Sequence, residues 1–101
     1  MGQIEKATAA GQVLPKARDM GAELAWMVQE FVRQVVTDPE AATVTGSARH
    51  GLVEILVTVA PKDMGRVIGK NGVTAHSLRM LLDAAGRKND VRCLLNIQEV
   101  E

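Results

Sequence analysis

The sequence predicts an α+β fold of order α-β-β-α-α-β, with a three-stranded mixed sheet and its helices on one face. Three observations carry this. Apolar residues recur at helical spacing from residue 24 and again from residue 75. Between and after these helices they alternate with a period of two, as strands do. A Gly-Lys-Asn-Gly segment at residues 69–72 divides the helical region that precedes the last strand.

Residues 1–18 contain Gly, Ala, Thr and Gln without a sustained period, and are expected to form a flexible or marginally helical extension ahead of one domain over residues 19–101. Leu24, Met27, Val28, Phe31, Val32 and Val35 then follow the spacing of one helical face. Thr37-Asp38-Pro39 ends that helix, because a residue preceding proline is driven out of the helical region. Strands are expected over residues 42–48 and 52–60, joined at Arg49-His50-Gly51. In the second strand Val53, Ile55, Val57 and Val59 share a face and Glu54 and Thr58 lie opposite, so one side of the sheet should be covered and the other open. Pro61 suits the first turn of a short helix over residues 61–68. After the glycine segment, Ala75, Leu78, Leu81, Leu82 and Ala85 form a second helical stripe, expected to close near Gly86. Val91, Cys93, Leu95 and Ile97 alternate as the final strand, which can pair in parallel because two helices precede it.

At 101 residues and 47% hydrophobic, the chain has material for one small core. One cysteine excludes an internal disulfide or a cysteine-based metal cluster, and His50, His76 and Cys93 have no partners at metal-ligand spacing, so no metal or cofactor is expected. No run of about 18 apolar residues is present, and residues 1–13 lack the pattern of a signal peptide. The expected location is therefore cytoplasmic, with no membrane insertion. Net charge is zero, yet residues 62–92 hold seven bases (Lys62, Arg66, Lys70, Arg79, Arg87, Lys88, Arg92) against three acids (Asp63, Asp83, Asp90). That half can present a positive surface although the whole chain is neutral.

Nine glycines in 101 residues give about one G-x-x-G by chance, so Gly69-Lys70-Asn71-Gly72 is informative only through its setting. Two glycines three apart let a sugar-phosphate strand approach the main-chain N–H groups, Lys70 adds a positive charge, and the start of the following helix favours a phosphate. The segment therefore reads as a backbone clamp for single-stranded nucleic acid. A further line on the helix after it, Val73, Ser77, Met80 and Ala84, runs off the core stripe and suits packing against a second copy or a related partner. Trp26 projects away from the core face of the first helix beside Arg33. Either it belongs to a partner surface or meets Val13-Leu14 of the extension, or it is partly covered by the arginine stem.

With this order of elements and Val59-Ala60-Pro61-Lys62-Asp63-Met64-Gly65-Arg66-Val67-Ile68-Gly69-Lys70-Asn71-Gly72, the chain resembles the type II K-homology (KH) fold over about residues 22–98. It is most similar to the small bacterial single-KH RNA-binding proteins of the KhpA family. The resemblance implies binding of single-stranded RNA and pairing as a homodimer or as a heterodimer with another KH-containing protein. It also implies post-transcriptional regulation or RNA chaperoning linked to cell growth and cell shape. By the same resemblance Gly69 and Gly72 permit the turn, Lys70 and Asn71 face phosphates, and Val67 or Ile68 lines a groove for about four nucleotides. Arg66 and Arg79 become auxiliary phosphate contacts.

Other functions fit less well. A phosphate-binding P-loop needs four residues between its glycines and Ser or Thr after the lysine, whereas Gly65 to Gly69 encloses three and Asn71 follows Lys70. No G-x-S-x-G or H-E-x-x-H occurs, so no enzymatic activity is expected. RRM and OB folds stack bases on strand aromatics, but the aromatics here are Trp26 and Phe31, both on the first helix. The alternative function is a protein–protein scaffold of KH fold with little RNA binding of its own.

Overall fold

The computed structural model describes residues 17–101. All but the last two positions of the expected extension lie outside that range. The described elements are α1 (Ala17–Val35), β1 (Thr43–Arg49), β2 (Leu52–Val59), α2 (Met64–Ile68), α3 (Val73–Lys88) and β3 (Arg92–Glu99). This is the α+β order read from the sequence.

α1 starts well before Leu24 and buries Met20, Leu24, Val28 and Val32, four residues apart, as its core stripe. Met27, placed on that stripe by spacing alone, is 59% exposed because it sits at the stripe's edge. Beyond Val36, whose N–H still reaches Val32 O, Asp38 lies outside the helical region (φ −126°, ψ 81°) ahead of Pro39, and the helix ends.

β1 and β2 form an antiparallel hairpin in register Thr43 with Thr58 through Arg49 with Leu52. Its turn is His50-Gly51, both at positive φ (51° and 76°), the combination that matches the twist of adjoining strands. β3 pairs in parallel with β2 from Leu52 with Arg92 to Val59 with Glu99, so the sheet order is β1-β2-β3 with β2 central. The parallel return is made by α2 and α3. α1 covers β1 and β2, and α3 covers β3.

On β2, Val53, Ile55, Val57 and Val59 are 0% exposed while Leu52, Glu54, Leu56 and Thr58 are half-buried. Each of the four inward side chains contributes roughly 1.5–3 kcal/mol of burial, which makes β2 the centre of the core. The open outer face is the one the alternation assigned to Glu54 and Thr58.

Two expectations for α3 are corrected. Leu81 was counted with the core stripe, but it is 69% exposed, because α3 packs on the sheet through Ala75, Leu78, Leu82 and Gly86 and Leu81 falls on the flank toward α1. Gly86 does not close the helix, which runs on to Lys88 and is capped at Asn89. Its role is steric: a Cβ there would collide with Val91 O and crowd Cys93 Sγ, so a glycine lets α3 lie close to β3. The segment expected as one helix over residues 61–68 is a 3-10 turn, Pro61–Asp63, leading into α2.

The same kind of approach joins α1 to β1, where a Cβ on Gly46 would overlap Gly21 O and touch Ala25 Cβ. Neither contact can yield, since one is backbone and the other is a methyl group in the core. Gly46→Ala is therefore expected to cost about 1–3 kcal/mol as an overpacked contact, read as a lower urea midpoint at unchanged slope.

Candidate nucleic-acid interface

Between α2 and α3 the backbone leaves the helical region three times. Gly69 has φ 84° and ψ 166°, Asn71 has φ 57° and ψ 23°, and Gly72 has φ 74° and ψ 14°. The Gly69 conformation is available almost only to glycine, and a side chain there would strike Thr74 Oγ1 and Cβ as well. Gly72 is different. Its left-handed conformation costs a substituted residue about 1–2 kcal/mol, but a Cβ on Gly72 would point into open space. Asparagine is among the residues that tolerate the left-handed region, which explains its place at 71. Thus Gly69 is required by the fold, whereas Gly72 leaves room above the loop.

The turn is closed by Gly72 N–H donating to Gly69 O (3.0 Å), and α2 ends with Gly69 N–H donating to Gly65 O (2.8 Å). Lys70 and Asn71 are exposed at its tip, and their N–H groups meet no acceptor among the described residues. α3 starts immediately after, with its positive dipole end at the same place, and its first N–H, that of Val73, donates to Lys70 O. Such a loop can accept anionic oxygens without first breaking hydrogen bonds.

The base of this unit is held by Asp63, 0% exposed. Its Oδ1 accepts from Thr37 N–H (2.9 Å) and from the Thr37 hydroxyl (2.9 Å), and its Oδ2 accepts from Asp38 N–H (3.1 Å). Burial alone would push this carboxyl up. The three hydrogen bonds, with the charge of Lys62, outweigh that and hold it below its ordinary value. Arg66 Nε stands 3.6 Å from Asp63 Oδ1, with the arginine side chain 59% exposed. Sequence reasoning counted Asp63 only as one acid in a basic region, because nothing local marks Thr37 and Asp38 as its partners.

Of the other residues singled out from the sequence, Val67 is fully enclosed in the core and Ile68 is half-buried beside the loop. Arg79 lies farther along α3, and its Nη2 donates to Leu95 O (3.2 Å), bridging α3 to β3. A groove of about 340 Å³ runs between these two elements, lined by His76, Arg79, Met80 and Asp83 on one side and by Arg92, Leu94 and Asn96 on the other. Apart from Arg79 as a phosphate contact and Met80 on the pairing line, sequence reasoning did not assign these residues to a groove. A signal existed: residues 76, 79, 80 and 83 have the spacing of one helical flank. Cys93, at the groove floor, is half-buried rather than enclosed, and burial and then Asp83 push its thiol up. Val73 and Met80 are 57% and 59% exposed on the outer side of α3, where Ser77 and Ala84 are also exposed. The structure thus gathers residues 66–72 around one turn, sets Arg79 in the groove between α3 and β3, and leaves the Val73/Ser77/Met80/Ala84 line exposed on α3, with Met80 also bordering that groove.

A helix followed by a β-hairpin, two helices separated by an exposed glycine loop, and a strand returning in parallel define a type II KH domain. The family model described as KhpA/KhpB, KH domain, matches residues 26–97, and the chain belongs to that family. Among curated relatives, the RNA-binding protein KhpA of Caldanaerobacter subterraneus subsp. tengcongensis is 37% identical over 71 residues, covering 70% of this chain and 95% of that protein. The RNA-binding protein KhpA of Listeria monocytogenes is 36% identical over 73 residues, covering 72% and 96%. That of Treponema pallidum is 38% identical over 71 residues, covering 70% and 89%. No solved structure matches at a significant level. Among the described residues no helix is long and apolar enough to cross a membrane, and no three His, Cys, Asp or Glu side chains are grouped to hold a metal ion.

The lowered pKa of Asp63 has a definite sign for stability. The contribution of its hydrogen bonds is complete above the ordinary value of 3.8 and is lost as pH falls through the lowered one. Asp63→Asn, which puts an amide donor against N–H groups, is expected to be clearly less stable than the parent at neutral pH. The gap between the two unfolding curves should narrow below that value, and urea titrations across pH 2–7 check it.

Proposed function

We propose that the chain binds single-stranded RNA by seating its sugar-phosphate backbone on Gly69-Lys70-Asn71-Gly72. The observation that carries this reading is the loop itself: N–H groups at Lys70 and Asn71 with no acceptor among the described residues, open space above Gly72, and the start of α3 converge on one exposed turn. The curated relatives' names support RNA as the ligand. Lys70 neutralises a phosphate and Asn71 offers an amide to a neighbouring oxygen. Ile68 is the aliphatic wall of the groove and Val67 the core residue that fixes its position. Arg66 and Arg79 extend the positive track on either side. Bases following the backbone would lie along the groove between α3 and β3, where β3 is an edge strand of the sheet and Leu95 O already accepts from Arg79.

One such loop offers few contacts, so useful affinity requires two of them. The outward line Val73, Ser77, Met80 and Ala84 on α3 is the surface through which this chain pairs with a second copy or with a related KH protein. It is more apolar than its sequence suggests, because the Ser77 hydroxyl donates to Val73 O (2.8 Å) within the helix. In this reading the protein is a cytoplasmic post-transcriptional regulator or RNA chaperone connected with cell growth and shape, and it works by binding rather than catalysis.

Lys70→Asp with Asn71→Asp keeps both glycines, and aspartate tolerates the left-handed conformation at 71. With two charge-assisted contacts removed, affinity for a short single-stranded RNA should fall by about tenfold or more while the circular dichroism spectrum is unchanged. Undiminished binding would place the site elsewhere. Separately, Ser77→Glu with Ala84→Glu should yield a monomer by mass measurement in solution, where the parent is a dimer; a parent that is already monomeric removes the pairing surface.

A further inference from the structure

The basic residues of the stretch 62–92 do not gather around the glycine loop. α3, about 24 Å long at 1.5 Å per residue, divides them: Lys62, Arg66 and Lys70 precede it, whereas Arg87, Lys88 and Arg92 lie at its far end. The fold adds Arg49 to the second group. Arg49 pairs with Leu52 across β1 and β2, and Leu52 pairs with Arg92 across β2 and β3, so the three side chains form one row on the outer face of the sheet. At the usual strand spacing the two arginines are about 10 Å apart at their backbones. Arg92 N–H donates to Gly51 O (2.8 Å) and Val91 N–H to Gly86 O (2.9 Å), which ties the hairpin turn, the end of α3 and the start of β3 together at this place.

Arg87 and Lys88 have a structural reason for their position. Basic side chains complement the negative end of a helix, and Arg87 Nη1 also stands 3.8 Å from Asp83 Oδ2. Arg49 and Arg92 have no such reason. Both lie on strands, both are exposed, and neither forms an ion pair among the described residues, although Glu54 shares their face and Asp90 precedes Arg92 by two positions. Arg92 also lines the groove between α3 and β3, at the end remote from the glycine loop.

We propose that Arg49 and Arg92 form a second phosphate-binding site, which takes the backbone of single-stranded RNA where the strand leaves the groove between α3 and β3. This rests on the reading that the strand is first seated on residues 69–72. A loop of that kind holds about four nucleotides, and a strand continuing along the groove beyond them emerges at Arg92. The row Arg49, Leu52, Arg92 then carries it over the outer face of the sheet. Each guanidinium can hold one phosphate through two parallel hydrogen bonds, and Leu52, half-buried between them, offers an apolar surface to a ribose or a base. Two stations on one strand make affinity depend on RNA length, since the second contact is made by a strand already tethered at the first.

Binding is to be measured on the full chain with random-sequence single-stranded RNA pools of about four and about nine nucleotides, the shorter matching the loop's own footprint. For Arg49→Gln with Arg92→Gln, affinity for the longer RNA should fall by about tenfold, while affinity for the shorter RNA equals the parent's. On the longer RNA the slope of log affinity against log salt should be shallower by about 1.4, at about 0.7 for each phosphate contact of a single strand. Arg49→Lys with Arg92→Lys keeps both charges and should keep the parent's slope. Identical binding of parent and glutamine variant to the longer RNA overturns the proposal. Equal losses at both lengths also overturn it, because the arginines then act through the general field of the protein or through its stability, and so does a lysine variant whose slope falls like the glutamine variant's. A parent that binds neither RNA removes the reading of the glycine loop together with this site, whereas the other three results remove this site alone.

Discussion

The carboxylate of Asp63 stands at the junction where β2 gives way to the helical crossover, and its hydrogen bonds go to the backbone and hydroxyl that end α1. α1 lies over β1 and β2, while α3 lies over β3. The two helices therefore rest on different parts of the sheet, and Asp63 links the end of the first to the start of the segment leading into the second. A buried carboxylate is tolerable only when its oxygens are satisfied, and here three donors from Thr37 and Asp38 do so. The position of α2, and with it the direction in which residues 69–72 emerge, is tied to the core through that contact.

From this anchored base the chain builds a turn whose two glycines serve different ends. Gly69 is dictated internally, by its dihedral angles and by Thr74 pressed against it. Gly72 is open on its outer side, so its lack of a side chain matters to whatever approaches from solvent. Lys70, N–H groups without an acceptor among the described residues and the start of a sixteen-residue helix together concentrate positive potential at one exposed point of a protein without net charge. The adjoining groove between α3 and β3 is mixed in character. Arg79 already spends one donor on Leu95 O, which holds the groove walls at a set separation.

Element types were legible in the sequence wherever one face is clearly apolar. The alternation in β2, the stripe of α1 and the breaks at Pro39 and the glycine loop all correspond to observed structure. The readings of Leu81 and Met27 failed for one reason: helical periodicity gives the direction of a stripe but not its width, and width depends on how far the neighbouring helix stands away. Gly86 failed differently. A glycine late in a helical pattern resembles a terminator, yet its requirement comes from Val91 and Cys93 on the next element. Asp63 was illegible as an anchor because its partners are 25 and 26 positions away in the chain.

What the sequence determined by itself was the order of elements, the inward faces of the strands and the location of the glycine turn, because each follows from local sterics and from apolar spacing within a few residues. Tertiary structure alone decided which carboxylate is buried, which apolar side chains on α1 and α3 remain exposed, and which residues of α3 and β3 face one another across a groove. Those outcomes depend on distances between segments remote in sequence, and such distances are set only when the helices settle against the sheet.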